Sequence, residues 1–435
     1  MTGLPRRLAG ALLLAPVQGG SIYERDVAFA LEELGKRCAP LLASKGIDWR
    51  EVREQFAREA RAVREDGAHL VLLTRLLARL RDGHAEVRPL PKGEGVRWPE
   101  EEREGSAGPG LSWCRSGKRI LVKNAWSGAG ASGVRPGMEV VRVEGVPAAK
   151  WLEDRVARMR DTRGFSTDAQ AFYAACHWGL GGVEGTTLSL ELRSPDGKTK
   201  KVTLTRGSAS VVPDGTAFAP AGLQSIGRQR YGKSEAGYGY VHLRDTPRDL
   251  PAQLDTMLAS IGRVPGLILD FRANGGGSFD HEEAFGRFVP AGKTMPRAQA
   301  PPIPSAGPHP YGGPIVAIVD AGVRSAGETA SGMLREDGRA YLIGESGTAG
   351  MSSQKEDLDL PSGLFSLHFS VRSNKGRFNG GKGIEGIGVQ PHEIVEYEAK
   401  DLASEVDTLI RRAEGLLADF PSGRVPYRPE EYGWK

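Results

Sequence analysis

Gly322-Val323-Arg324-Ser325-Ala326-Gly327-Glu328 is the stretch on which the reading of this chain turns. Ahead of it, Pro314-Ile315-Val316-Ala317-Ile318-Val319 has the length and β-branched content of a buried strand. Behind it, Thr329-Ala330-Ser331-Gly332-Met333-Leu334 reads as a helix. A serine between a buried strand and a helix N-terminus is held on a sharp turn. Its oxygen can face a cleft, and the helix dipole favours negative charge there. About fifty residues upstream, Gly266-Leu267-Ile268-Leu269-Asp270-Phe271-Arg272-Ala273-Asn274-Gly275-Gly276-Gly277 reads as a second strand running into a glycine loop. Such a loop can aim backbone N–H groups at an oxyanion. Taken singly, the serine is an N-cap and the glycines are a turn. Taken together, in this order, they point to acyl transfer, and to peptide hydrolysis before other kinds.

The chain has 435 residues, which suggests two or three domains. Apolar content of 39% and charged content of 26% are those of a soluble globular protein. A net charge of +4, spread without basic runs interleaved with aromatics, gives no reason to expect nucleic acid or a membrane surface as partner. Cys38, Cys114 and Cys176 form no CxxC, zinc spacing or disulfide framework, and read as core thiols, with one disulfide between an unassigned pair as the alternative. No metal or nucleotide motif is present, so no cofactor is expected. Arg6-Arg7 followed by Leu8 to Ala15 has the order of an export signal. Its apolar run is short and no clean cleavage site follows. Two locations stay open: periplasmic or secreted if residues 1–21 are a signal, cytoplasmic if they are not.

Residues 22–90 read as an N-terminal helical domain, with Asp48 as an N-cap. Its third helix, His69 to Leu80, stops at Asp82-Gly83, immediately before His84. Residues 91–111 read as a linker. Residues 112–206 hold a strand at Arg119–Asn124, a strand near Glu139–Val143, a helix from Ala149 to Arg160, and a hairpin around Pro195-Asp196-Gly197. A second linker spans 207–236. From 237 to 400 strands and helices alternate, as in an α/β core with a partly parallel sheet. Residues 401–435 form a C-terminal helix and tail.

Four motifs now form one pattern: Leu80-Arg81-Asp82-Gly83-His84, the Asp270 to Gly277 loop, Ser325-Ala326-Gly327-Glu328, and Gly383-Ile384-Glu385-Gly386-Ile387-Gly388-Val389-Gln390-Pro391. Over residues 22–397 the chain resembles the tail-specific (C-terminal-processing) serine protease family, including the tricorn core and the interphotoreceptor retinoid-binding protein repeats. The resemblance implies a crotonase-like (ClpP-like) α/β core and, from Gly133-Val134-Arg135-Pro136-Gly137-Met138 onward, an inserted, mostly β, PDZ-like domain. It implies a peptide or protein substrate, captured by strand addition, and leaves the oligomeric state undecided. One catalytic solution in that family is a Ser–Lys dyad. Here the lysine position is Met351, in Thr348-Ala349-Gly350-Met351-Ser352, and Lys355 falls in the wrong strand phase to replace it. The other solution is tricorn-like. It makes Ser325 the nucleophile, His84 the base and Glu385 the acidic partner, with oxyanion donors from Ala326 and Gly276 or Gly277. A serine hydroxyl needs a base near neutral pKa, and a carboxylate orients the imidazole. In the tricorn pattern a serine precedes the histidine and joins the relay. Here Gly83 stands there, so the relay is incomplete. The rival expectations are a non-catalytic binding protein for peptides or apolar ligands on the same scaffold, and an esterase using the same site.

Overall fold

A computed structural model describes residues 20–103, 105–207, 215–297, 300–374 and 376–420. The candidate export signal and the C-terminal tail lie outside them, apart from the last residues before Ser21. No helix among the described residues is long and apolar enough to cross a membrane.

The serine strand, Ile315–Val319, lies inside a seven-stranded sheet. The sheet order is Glu393–Ile394, Tyr341–Gly344, Ile315–Val319, Leu267–Asp270, Gly239–His242, Gln229–Lys233, Gln224–Ile226. The first five run parallel, and the last two are joined on by antiparallel pairing. Alternation along the strands explains their unbroken apolar runs. Leu267, Leu269, Ile315, Ala317 and Val319 pack with helices Leu250–Ile261 and Ala326–Glu336. Ile268, Val316 and Ile318 face the other way, toward helix Thr408–Asp419. In the parallel register Asp270 pairs with Ile318, so the glycine loop and the serine turn leave neighbouring strands at the same end. That is where ligands bind in open parallel sheets.

Of the N-terminal helices Ile22–Arg37, Ala39–Ser44, Trp49–Ala60 and Asp66–Ala78, the first and third start on side-chain caps. Ser21 and Glu24 form a capping box, and Asp48 accepts the Arg50 and Glu51 N–H groups. The last of these helices ends at Ala78, earlier than the sequence pattern indicates. Arg81 then turns with a positive φ of 47°. Two features escape the sequence reading: the strand Glu86–Pro89, and the hairpin Ser353–Asp359/Phe365–Ser373 to which it adds. The hairpin buries Leu367 and Phe369 against Leu34, Phe56, Leu73 and Leu76 of the helices. His84 is thus strung between a helix and a strand that are both anchored.

The middle segment is a sheet of strands Leu111–Ser116, Arg119–Ala125, Glu139–Val143, Thr187–Arg193 and Thr199–Thr205. Its last two strands form the hairpin expected around Asp196-Gly197. Helices Ala148–Thr162 and Asp168–Cys176 pack on it through Leu152 and Ala174. Lys123 of this sheet is fully buried, with its Nζ 3.2 Å from Glu345 Oε1 and 4.7 Å from the Tyr397 ring centre. A buried, paired lysine fixes the middle segment on the core at one orientation. All three cysteines are free and buried.

Candidate active site

Ser325 is the residue before helix Ala326–Glu336, at φ 55° and ψ −123°. An L-residue held there stores about 1–3 kcal/mol of strain, which the surroundings must over-determine. Glu328 does much of this. It is fully buried, and its carboxylate accepts four donors: Thr348 Oγ1 at 2.5 Å, Gly350 N at 2.6 Å, Met351 N at 2.7 Å and Ser325 N at 3.2 Å. Burial pushes the carboxyl up to about 8, while the Thr348, Gly350 and Met351 bonds favour its ionised form. Glu328 therefore clamps the serine turn to the loop 348–351. In the sequence it reads only as a residue one turn along the helix.

The glycine loop is held from below. Asp270 and Arg272 are buried, and Arg272 also binds Asp407 and Tyr397. Burial opposes ionisation of Asp270, but the Arg272 charge prevails and holds its carboxyl at about 2. Asn274 Nδ2 donates to Leu243 O, and its Oδ1 accepts the Gly276 N–H at 2.8 Å. A Cβ on Gly276 would lie 2.8 Å from Ser325 Cβ and 3.2 Å from Ala326 N. A Cβ on Gly277 would lie 2.2 Å from Thr246 O. Glycine at 276 lets the loop come against the serine turn, and glycine at 277 lets it pair closely with Thr246. Among the described residues no hydrogen bond occupies the N–H of Ala326 or of Gly277.

His84 is nearly buried, its side chain 15% exposed. Its N–H donates to Asp82 Oδ1 at 2.9 Å, and Asp82 Oδ2 accepts Ser370 N at 2.7 Å. Asp82 thereby ties the histidine turn to the hairpin. One oxygen of Asp82, one of Glu385 and one ring nitrogen of His84 lie within 4.8 Å of one another. Burial pushes the His84 imidazole down to about 4, with further lowering by the charges of Lys355, His368 and Arg324. It is neutral at neutral pH, as a base must be. His84 Nδ1 and Glu385 Oε2 are both buried and unpartnered among the described residues. No described hydrogen bond joins Ser325 to His84; catalytic contacts of this kind commonly close only around substrate.

Glu385 is held by Lys45, whose Nζ is 2.8 Å from Oε1, with side chains 8% and 0% exposed. Ser166 Oγ donates to the same oxygen at 3.2 Å. Burial raises this carboxyl to about 7, and Lys45 and Ser166 restrain the rise. Met351, at the family's lysine position, is buried, and its carbonyl accepts Ser325 N at 3.1 Å. Lys355 Nζ donates to Ser353 O, and its charge is felt at the imidazole of His84.

Residues 237–395, which carry both the glycine loop and the serine turn, match peptidase family S41. The chain carries an S41 peptidase domain. That family makes it a serine-type peptidase. The fold of this S41 peptidase is similar over most of its length to mature CPAF complexed with lactacystin. The TM-score is 0.66 at 15% identity, covering 91% of this chain and 98% of that one. A proposed peptidase from Parabacteroides merdae gives 0.52 at 17%, covering 92% and 98%. At these identities the likeness is one of fold.

Lys45, Ser166 and Glu328 are the site neighbours that sequence reasoning passed over. Glu328 had a signal, an acidic residue three places after the serine. Lys45 and Ser166 had none, because each lies more than two hundred residues from the carboxylate it binds.

Proposed function

We propose that the chain is a serine endopeptidase that cleaves peptides or protein tails through an acyl-enzyme on Ser325, with His84 as base and Glu385 as its acidic partner. The observation that carries this reading is the pair of buried atoms without a partner among the described residues, His84 Nδ1 and Glu385 Oε2, with Met351 packed on Gly83 on one side and accepting the N–H of the strained Ser325 on the other. Neutral His84 takes the Ser325 hydroxyl proton as Oγ attacks the scissile carbonyl carbon. Ionised Glu385 stabilises the imidazolium that results. The oxyanion receives the N–H groups of Ala326 and Gly277, and Gly276 admits it by having no side chain. The imidazolium then protonates the leaving amine, and water repeats the sequence on the acyl-enzyme.

The parallel sheet with its site at the strand ends supports a crotonase-like reading of the core. The sheet of residues 111–205 supports a PDZ-like reading of the middle segment. The test of the site is fluorophosphonate labelling of the wild type, Ser325→Ala and His84→Ala, with mass mapping of the adduct. Rapid labelling of Ser325 that is lost without His84 is expected. A folded wild type that does not label would defeat the reading and return the non-catalytic binding protein to first place.

A further inference from the structure

Gly83 has no room for a side chain. A Cβ there would lie 2.6 Å from Met351 Cγ and Sδ and 2.8 Å from Gln170 Nε2. Its N–H nevertheless has a hydroxyl partner, Ser166 Oγ, at 3.0 Å. The same Oγ donates onward to Glu385 Oε1 at 3.2 Å. One buried hydroxyl therefore connects the backbone beside His84 to the carboxylate that is to serve it.

Ser166 belongs to the middle segment, in the turn between helices Ala148–Thr162 and Asp168–Cys176. That turn is built to face the site. Ser166 N donates to Gln170 Oε1 at 2.7 Å, and Gln170 Nε2 reaches Met351 Sδ at 2.7 Å. Thr167 caps the second helix through Gln170 N, and its hydroxyl donates to Ala349 O at 3.0 Å. With Lys45 and Ser166 both on Oε1, the rotamer of Glu385 is settled, and Oε2 is the oxygen without a protein partner.

We propose that Ser166 is a positioning residue of the peptidase site: a hydroxyl lent by the middle segment that fixes Glu385 against the His84 turn, so that the site is complete only when that segment is docked. The inference rests on the Ser325–His84–Glu385 reading. Its chemistry is specific. A hydroxyl donor favours the ionised carboxylate. The other ionisable groups around Glu385 are Lys45, which also favours ionisation; Asp82, Glu328 and the neutral His84 ring, of which the two acids oppose it; and Arg81 and Lys382, cations that line the same cavity. Loss of Ser166 leaves burial less opposed, so a larger share of Glu385 is protonated at neutral pH.

The experiment measures the fluorophosphonate labelling rate of Ser325 from pH 5 to 9 in the full chain, for wild type, Ser166→Ala, Ser166→Thr and Thr167→Val. Ser166→Ala is expected to label about tenfold more slowly at pH 7 and to have its acid limb displaced to higher pH. Ser166→Thr, which keeps the hydroxyl, restores both. Thr167→Val, which loosens the same turn without touching Glu385, slows labelling without moving the limb. Should Ser166→Ala not fold, Ser166→Cys, similar in size and a weaker donor, carries the same pH series. A wild-type rate and limb for the folded Ser166 variant overturns the inference alone. Equal displacement by Thr167→Val also overturns it, since the role would then be only structural. Absence of labelling in the wild type removes the underlying site reading as well.

Discussion

The serine half and the histidine half of this site are built in opposite ways. Ser325, Ala326 and the loop to Gly277 hang from two adjacent parallel strands whose register places them side by side. Their clamp, Glu328, lies within the same turn of helix as Ser325. The histidine half draws on four remote segments: Asp82 and His84, Lys45, Ser166 and Glu385. It is held by side chains rather than by a sheet. A half fixed by backbone register tolerates change at its edges. A half fixed by single hydrogen bonds to a buried carboxylate loses its alignment when any one of them goes.

The largest effect should come from breaking the serine half at its clamp. Glu328→Ala strands four donors around a buried hole, each worth about 1–3 kcal/mol when left unsatisfied. We expect a urea midpoint well below wild type and peptidase activity reduced by about a thousandfold. A variant with normal stability and rate would mean that the strand register alone holds the turn, which would sharpen the contrast further.

Next is Lys45→Met. Removing one partner of a buried ion pair costs about 3–5 kcal/mol while the other stays charged, so Glu385 escapes by taking a proton. The proposed mechanism needs the carboxylate, and the folded carboxyl stands at about 7, above its ordinary value. Activity should therefore rise as pH passes upward through about 7 in the wild type. In Lys45→Met that rise should move to still higher pH, with about a hundredfold loss at pH 7. An unmoved limb in the pH profile of kcat/KM would show that Glu385 is not the group being titrated.

Gly83→Ser tests how tightly the two halves meet, because the added atoms collide with Met351. Overpacking of this kind costs about 1–3 kcal/mol. Met351→Ala in the same chain should recover most of it, measured by thermal midpoints of the two single variants and the double. Additive losses would indicate that Met351 does not supply the clash. The smallest effect is that of Lys355→Gln. Its charge contributes to holding the His84 imidazole down, so the His84 NMR titration should move upward while labelling at pH 7 changes little. A downward movement would contradict the placement of Lys355 near the ring.

The contrast also explains what could be read in the chain beforehand. The serine strand, the glycine-loop strand, the helix Leu250–Ile261 and the Asp196-Gly197 hairpin each follow from local periodicity and turn chemistry, and each is found where the pattern puts it. The hairpin Ser353–Asp359/Phe365–Ser373 was not legible. Its first strand is polar or charged at every position but Leu358, and its second buries both faces, one against helices drawn from the far end of the chain. Gly83 left a gap in the expected relay, and the sequence offered no means of filling it.

Local spacing thus determined the nucleophile turn, the glycine loop and the order of the α/β core, because strand period, helix capping and turn geometry act over a few residues. The tertiary structure alone decided how the base half is assembled. Met351 fills the volume beside Gly83, Ser166 brings a hydroxyl from the middle segment, and Lys45 meets Glu385 in a buried ion pair. The physical reason is that a hydrogen bond or an ion pair between distant segments leaves no period in either of them. It exists only once the hydrophobic cores have brought those segments together.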